Sequence, residues 1–165
     1  HRLQARAFAE AGAHMVSAIT MTYAEEAIGI ARAAQAVGLP SVISFTVETD
    51  GRLPSGQEVG AAIEQVDEET SGAPAYFMIN CAHPTHFFGA LDHDAAWVRR
   101  IRGVRANASR LSHAELDAAE ELDRGDLGEL ADLYGRLTGQ LDLRVVGGCC
   151  GTDDEHIAAI AKTVC

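Results

Sequence analysis

The stretch Leu143-Arg144-Val145-Val146-Gly147-Gly148-Cys149-Cys150-Gly151-Thr152 runs an apolar segment straight into a glycine-flanked pair of adjacent cysteines. The apolar part is short, β-branched and nearly continuous, as in a parallel strand covered on both faces. In a regular strand Cys149 and Cys150 would point to opposite faces. Both reach one point only if the strand breaks here, and Gly147, Gly148 and Gly151 supply the backbone freedom for that break.

Working outward, similar runs recur at 15–19, 41–47, 75–80 and 101–105, with the stretch above contributing 143–146. Between them helical spacing appears at 24–37, 57–69, 94–100, 113–121, 127–137 and 155–163. This alternation predicts βαβ units and a parallel sheet, either a closed barrel or an open doubly wound sheet. In both, ligands bind at the carboxyl ends of the strands. Those ends carry Thr20-Met21-Thr22, Glu48-Thr49-Asp50-Gly51, Cys81-Ala82-His83-Pro84, Ala106-Asn107-Ala108-Ser109 and the Cys149-Cys150 turn.

Residues 1–12 read as the middle of a helix with no capping residue before it, so a preceding segment is expected. The chain has 165 residues, 47% of them hydrophobic, enough for one sizeable core. Its net charge of −11 argues against nucleic acid or an anionic membrane surface as partner. No apolar run is long enough to span a bilayer, and the start lacks the pattern of a signal peptide, so a cytoplasmic protein acting on small molecules is expected.

Four cysteines, two of them adjacent, do not form the spaced framework of a disulfide scaffold. Cys81, Cys149 and Cys150 close two parallel strands on one side of the sheet, and their thiolates would hold Zn²⁺ with the fourth position open, as catalytic zinc requires. Cys165 ends the last helix and is left out. His83 and His86 read as pocket-lining or surface groups because Pro84 sets a turn before a helix. Thr152-Asp153-Asp154-Glu155 reads as a capping box for the last helix, and Glu48 and Asp50 as solvated loop carboxylates. Thr20, Ser44, Asn80, Asn107 and Gly148 stand at strand tips, where they either meet a substrate or satisfy loop backbone. A vicinal-thiol redox or metal-binding role for Cys149 and Cys150, and a truncated zinc-binding fragment without turnover, are the alternatives. Two uncovered sheet edges also leave a homo-oligomer open.

Asn80-Cys81 and Gly147-Gly148-Cys149-Cys150-Gly151-Thr152 resemble the motifs of the homocysteine S-methyltransferase family, with weaker support from Ser44-Phe45-Thr46, Asp50-Gly51, Ser55-Gly56 and Asn107. The resemblance implies a (β/α)8 TIM barrel of which this chain supplies the last five βα units, strands four to eight. It implies zinc on Cys81, Cys149 and Cys150, and methyl transfer to the thiol of homocysteine to form methionine. The donor is not readable: S-methylmethionine, S-adenosylmethionine, betaine and a methylcorrinoid all fit. Ile19 stands where the family usually places a glutamate that would grip the substrate's amino group; Glu25, Glu26 or Glu48 would have to compensate.

Overall fold

The computed structural model describes residues 1–91 and 94–165. Apolar residues on one face of each short run, among them Val16, Ala18, Ile43, Phe45, Phe77, Ile79 and Val104, are buried in a single core. They lie on five strands: β1 (Val16–Met21), β2 (Ser41–Phe45), β3 (Pro74–Asn80), β4 (Ile101–Ala106) and β5 (Val145–Gly148). All neighbouring pairs are parallel, and the spatial order is β1-β2-β3-β4-β5.

That order decides between the two architectures expected from sequence. A doubly wound sheet reverses its strand order at a switch point, whereas here the order follows the chain without reversal. With right-handed crossovers, every helix then falls on the same side, which makes the sheet an arc of a barrel. The other, inner face carries Ile19, Ser44, Asn80, Arg105 and Gly147, alternating with the core residues along each strand.

The helices are α1 (Arg2–Glu10), α2 (Ala24–Gln35), α3 (Val59–Thr70), α4 (Pro84–Phe87), α5 (His113–Ala118), α6 (Leu127–Thr138) and α7 (Asp154–Val164). α2 and α3 bury alanine, valine and isoleucine at helical spacing against the sheet. Tyr134 of α6 is fully buried; its hydroxyl accepts from Ala106 N at 2.9 Å and lies 2.5 Å from Gly147 O, so one side chain joins β4 to β5.

Three expectations need correction. Residues 94–100 do not form an α-helix: a 3₁₀ segment, Ala96–Arg100, runs directly into β4, pinned where Arg100 donates to both carboxylate oxygens of Asp67 and to Pro74 O. Helix α5 ends at Ala118 rather than 121: Ala119 is already extended, at φ −74° and ψ 135°, and its N–H turns back to Leu116 O at 3.2 Å. The last helix is capped by Asp153, whose carboxylate accepts from Glu155 N and His156 N, so the box pairs Asp153 with His156 and not Thr152 with Glu155. Among the described residues no helix is long and apolar enough to cross a membrane.

Candidate metal centre

β5 ends at Gly148, and the next three residues turn, with Thr152 N donating to Cys149 O at 3.2 Å and Gly151 at φ 78°. The strand break foreseen from the glycines is therefore present. Gly148 is required by space as well: a Cβ there would stand 2.1 Å from Thr152 Oγ1, the hydroxyl that donates to Cys149 O at 2.7 Å. Thr152 thus fastens the cysteine turn instead of opening the helix.

The second break occurs at Cys81, which adopts φ 54°, a left-handed conformation uncommon outside glycine. Cys81 N donates to Arg105 O at 3.1 Å and Asn107 N to Ala82 O at 3.1 Å, so the loop after β3 is stitched to β4. The loop after β5 is held the same way: Cys149 N donates to Ala106 O at 2.8 Å, Ala108 N to Cys150 O at 3.0 Å, and Cys150 N to Asn107 Oδ1 at 3.2 Å.

These constraints bring three sulfurs together. Cys81 Sγ lies 3.9 Å from Cys150 Sγ, and the Sγ atoms of Cys81, Cys149 and Cys150 all fall within 4.8 Å of one another. Thiolates at corners of a tetrahedron with Zn–S of roughly 2.3 Å stand about 3.8 Å apart, so the spacing matches a metal-binding set. The three are free thiols with no disulfide. Contact with Cys81 pulls the Cys149 thiol down to about 5, helped by the Cys150 N–H and the Asn80 amide. The same contact, together with burial, pushes the Cys81 thiol up. One thiolate accepting hydrogen bonds from its neighbours is the state a cation would replace.

Asn80 is 2% exposed and its Oδ1 accepts from Thr20 N at 2.9 Å and from Ser44 Oγ at 2.6 Å, while its Nδ2 donates to Thr20 Oγ1 at 2.8 Å. Thr20, at φ 60°, Ser44 and Asn80 thus tie the tips of β1, β2 and β3 together. Asn107 lies with Cys81, Cys150 and His113 on the wall of a cavity of about 260 Å³. Gly148 is half-buried beside the cysteines. His83, read from sequence as lining or surface, is 1% exposed and caps α4, accepting from Thr85 N at 3.4 Å. His86 reaches Arg110 O at 2.8 Å. Neither belongs to the sulfur cluster.

Sequence reading missed His113. Its Nε2 donates to Cys81 O at 2.7 Å and its Nδ1 to Glu48 Oε1 at 3.1 Å. Burial opposes the charged ring, but the bonds to Cys81 O and to Glu48 outweigh it and the pKa is raised. The only signal in the sequence is Ser112 ahead of Glu115, which marks a helix start and gives no hint that the first helical side chain turns back onto a cysteine carbonyl.

The family model described as homocysteine S-methyltransferase matches residues 1–164. Over 127 residues the chain is 34% identical to methionine synthase of Mycobacterium leprae (strain TN) and equally to that of Mycobacterium tuberculosis (strain ATCC 25618 / H37Rv), covering 76% of this chain and 10% of each relative. The metallated crystal structure of the homocysteine methyltransferase MmuM from Escherichia coli superposes with a TM-score of 0.70 at 20% identity, over 98% of this chain and 49% of that one. Its apo form gives 0.69 at 21% identity, over 99% and 55%. The chain thus spans about a tenth of the curated relatives and about half of these solved chains. With the family model matching nearly all of its residues and the fold shared, the chain belongs to the homocysteine S-methyltransferase family.

Proposed function

We propose that this chain is the C-terminal part of a zinc-dependent methyltransferase barrel, and that Cys81, Cys149 and Cys150 hold Zn²⁺ beside a thiol acceptor, homocysteine, which is methylated to methionine. The observation that carries this reading is the convergence of the three sulfurs within 4.8 Å from two separate strand ends. Their chemistry fits zinc, a borderline-soft ion commonly held by thiolates. Bound there, zinc supplies the positive charge that lets an incoming thiol, ordinarily near pKa 8.5, lose its proton at neutral pH.

The chain's own residues do the rest. All three cysteines would hold the ion as thiolates, and the Cys150 N–H and Asn80 amide steady the Cys149 charge. His113 holds the Cys81 carbonyl and with it the left-handed turn that aims the sulfur. Asn107 fixes Cys150 N and opens on the cavity beside the cysteines, where a substrate would enter. Thr20, Ser44, Asn80, Asn107 and Gly148 would surround the polar end of the acceptor, with Ser44 and Asn80 acting largely by holding Thr20 in place. The acceptor's sulfur gains the methyl group and gives up its proton, and the donor leaves with the bonding electron pair. Free thiols at this site suit a reducing cytoplasm.

The test is product formation: the zinc-loaded protein with homocysteine and each of S-methylmethionine, S-adenosylmethionine, betaine and a methylcorrinoid, with methionine measured by mass spectrometry. Methionine formed with one donor and lost in Cys81→Ser supports the reading. Zinc retention without methionine from any donor would instead make this a metal-binding fragment without turnover.

A further inference from the structure

The cavity of about 260 Å³ beside the sulfurs is lined by Cys81 and Cys150 together with residues of α5 and of the loop that follows it. Three carboxylates belong to its wall: Asp117, Glu121 and Asp123. Asp123 is committed to the fold, accepting from Ser109 Oγ and, at 2.8 Å, from Gly125 N. Asp117 meets the His113 ring through charge alone. Neither Asp117 nor Glu121 makes a hydrogen bond among the described residues. Glu48, also at a strand end, is already paired with His113.

A buried donor opens on the same space. Asn107 is 3% exposed and its Oδ1 accepts from Cys150 N at 3.2 Å, while its Nδ2 donates to no described residue. Among the described residues no fully buried side-chain nitrogen is left without a partner, so Nδ2 is open to the cavity that Asn107 lines. The position of Asp117 relative to the cysteines is set by α5. His113 Nε2 donates to Cys81 O at 2.7 Å, and Asp117 follows His113 by one helical turn on the same face. Leu116 adds apolar surface to the wall. One space thus combines sulfur ligands, an apolar side chain, an amide donor and carboxylates free to accept, which are the complements of a thiol, its methylenes, a carboxylate and an ammonium group.

We propose that Asp117 is the specificity-determining anchor for the acceptor's α-ammonium group, with the Asn107 amide donating to the acceptor's carboxylate. The inference rests on the reading that homocysteine binds beside the cysteines. In homocysteine three carbons separate the sulfur from the amino nitrogen, so a molecule with its sulfur at the cluster lays its ammonium along the α5 wall of the cavity.

The test compares three thiols on the cobalt(II)-loaded protein, whose thiolate absorption reports ligation: homocysteine, 4-mercaptobutanoic acid, which lacks the amino group, and 3-aminopropanethiol, which lacks the carboxylate. The parent should bind homocysteine about tenfold more tightly than its des-amino analogue, as loss of a charged hydrogen-bonded pair implies. Asp117→Asn should weaken homocysteine and the aminothiol about tenfold and leave 4-mercaptobutanoic acid within about twofold, and Asp117→Glu should restore part of the loss. Glu120→Gln, on the same segment but off the cavity wall, should change none of them. Unaltered cobalt content and circular dichroism would show that Asp117→Asn is folded and loaded. Loss of cobalt, or equal weakening of every thiol in Asp117→Asn, would make Asp117 a support of His113 and overturn the assignment while leaving the thiol site standing. So would a loss of homocysteine binding seen in Glu121→Gln and not in Asp117→Asn. Failure of all three thiols to perturb the cobalt spectrum would remove the thiol site and the assignment with it.

Discussion

Cys81 Sγ and Cys150 Sγ lie 3.9 Å apart across a sequence separation of 69 residues. No covalent bond holds them there; two strand ends do. The loop after β3 leaves through a left-handed Cys81, the loop after β5 breaks between Gly148 and Gly151, and both are hydrogen-bonded to β4 between them. The sulfur cluster is thus a property of the sheet's register rather than of any local motif.

His113 holds the Cys81 carbonyl from outside the cluster. His113→Ala should weaken zinc affinity by about 10- to 100-fold, the usual cost of removing a group that orients a ligand. Competition with a chromophoric chelator measures this. His113→Gln, which keeps a donor near the same carbonyl, should recover part of the loss. Unchanged affinity in the alanine variant would show that the left-handed turn at Cys81 stands without it.

Tyr134 places one hydroxyl among the backbone groups of Ala106 and Gly147. Tyr134→Phe removes the acceptor for a buried N–H and should cost about 1–3 kcal/mol of folding stability. Urea unfolding, with the slope unchanged and the midpoint lowered, is the measurement. A midpoint equal to the parent's would mean that Ala106 N finds another partner.

His83 is buried, and burial together with the charges of His86 and Arg110 lowers its pKa from 6.5 to about 4. Below pH 6.5 the unfolded chain takes up a proton that the folded chain refuses until about pH 4. Stability of the metal-free protein should therefore fall as the pH is lowered through that window. Thermal melts across it should show a shallower decline for His83→Gln than for the parent. Parallel declines would place the acid sensitivity elsewhere.

Much of this arrangement is legible in the sequence. The β-branched runs locate all five strands, and the order of elements leaves only barrel or doubly wound sheet. The spatial order of the strands, which the sequence does not state, is what separates them. Cys149 and Cys150 announce themselves because adjacent cysteines between glycines have little use as packing. The roles of Thr152 and His113 are hidden, since each looks locally like part of a helix start while its side chain bonds a cysteine carbonyl. The segment 94–100 misleads for a similar reason: its spacing is helical, but Arg100 is tied to Asp67 and Pro74, contacts invisible along the chain.

The central claim is that three thiolates from two strand ends bind one metal ion. Metal analysis of the purified protein, beside Cys149→Ala prepared identically, tests it most directly. The account predicts about one zinc per chain in the parent and near-complete loss in the variant. Equal zinc in both proteins would contradict it.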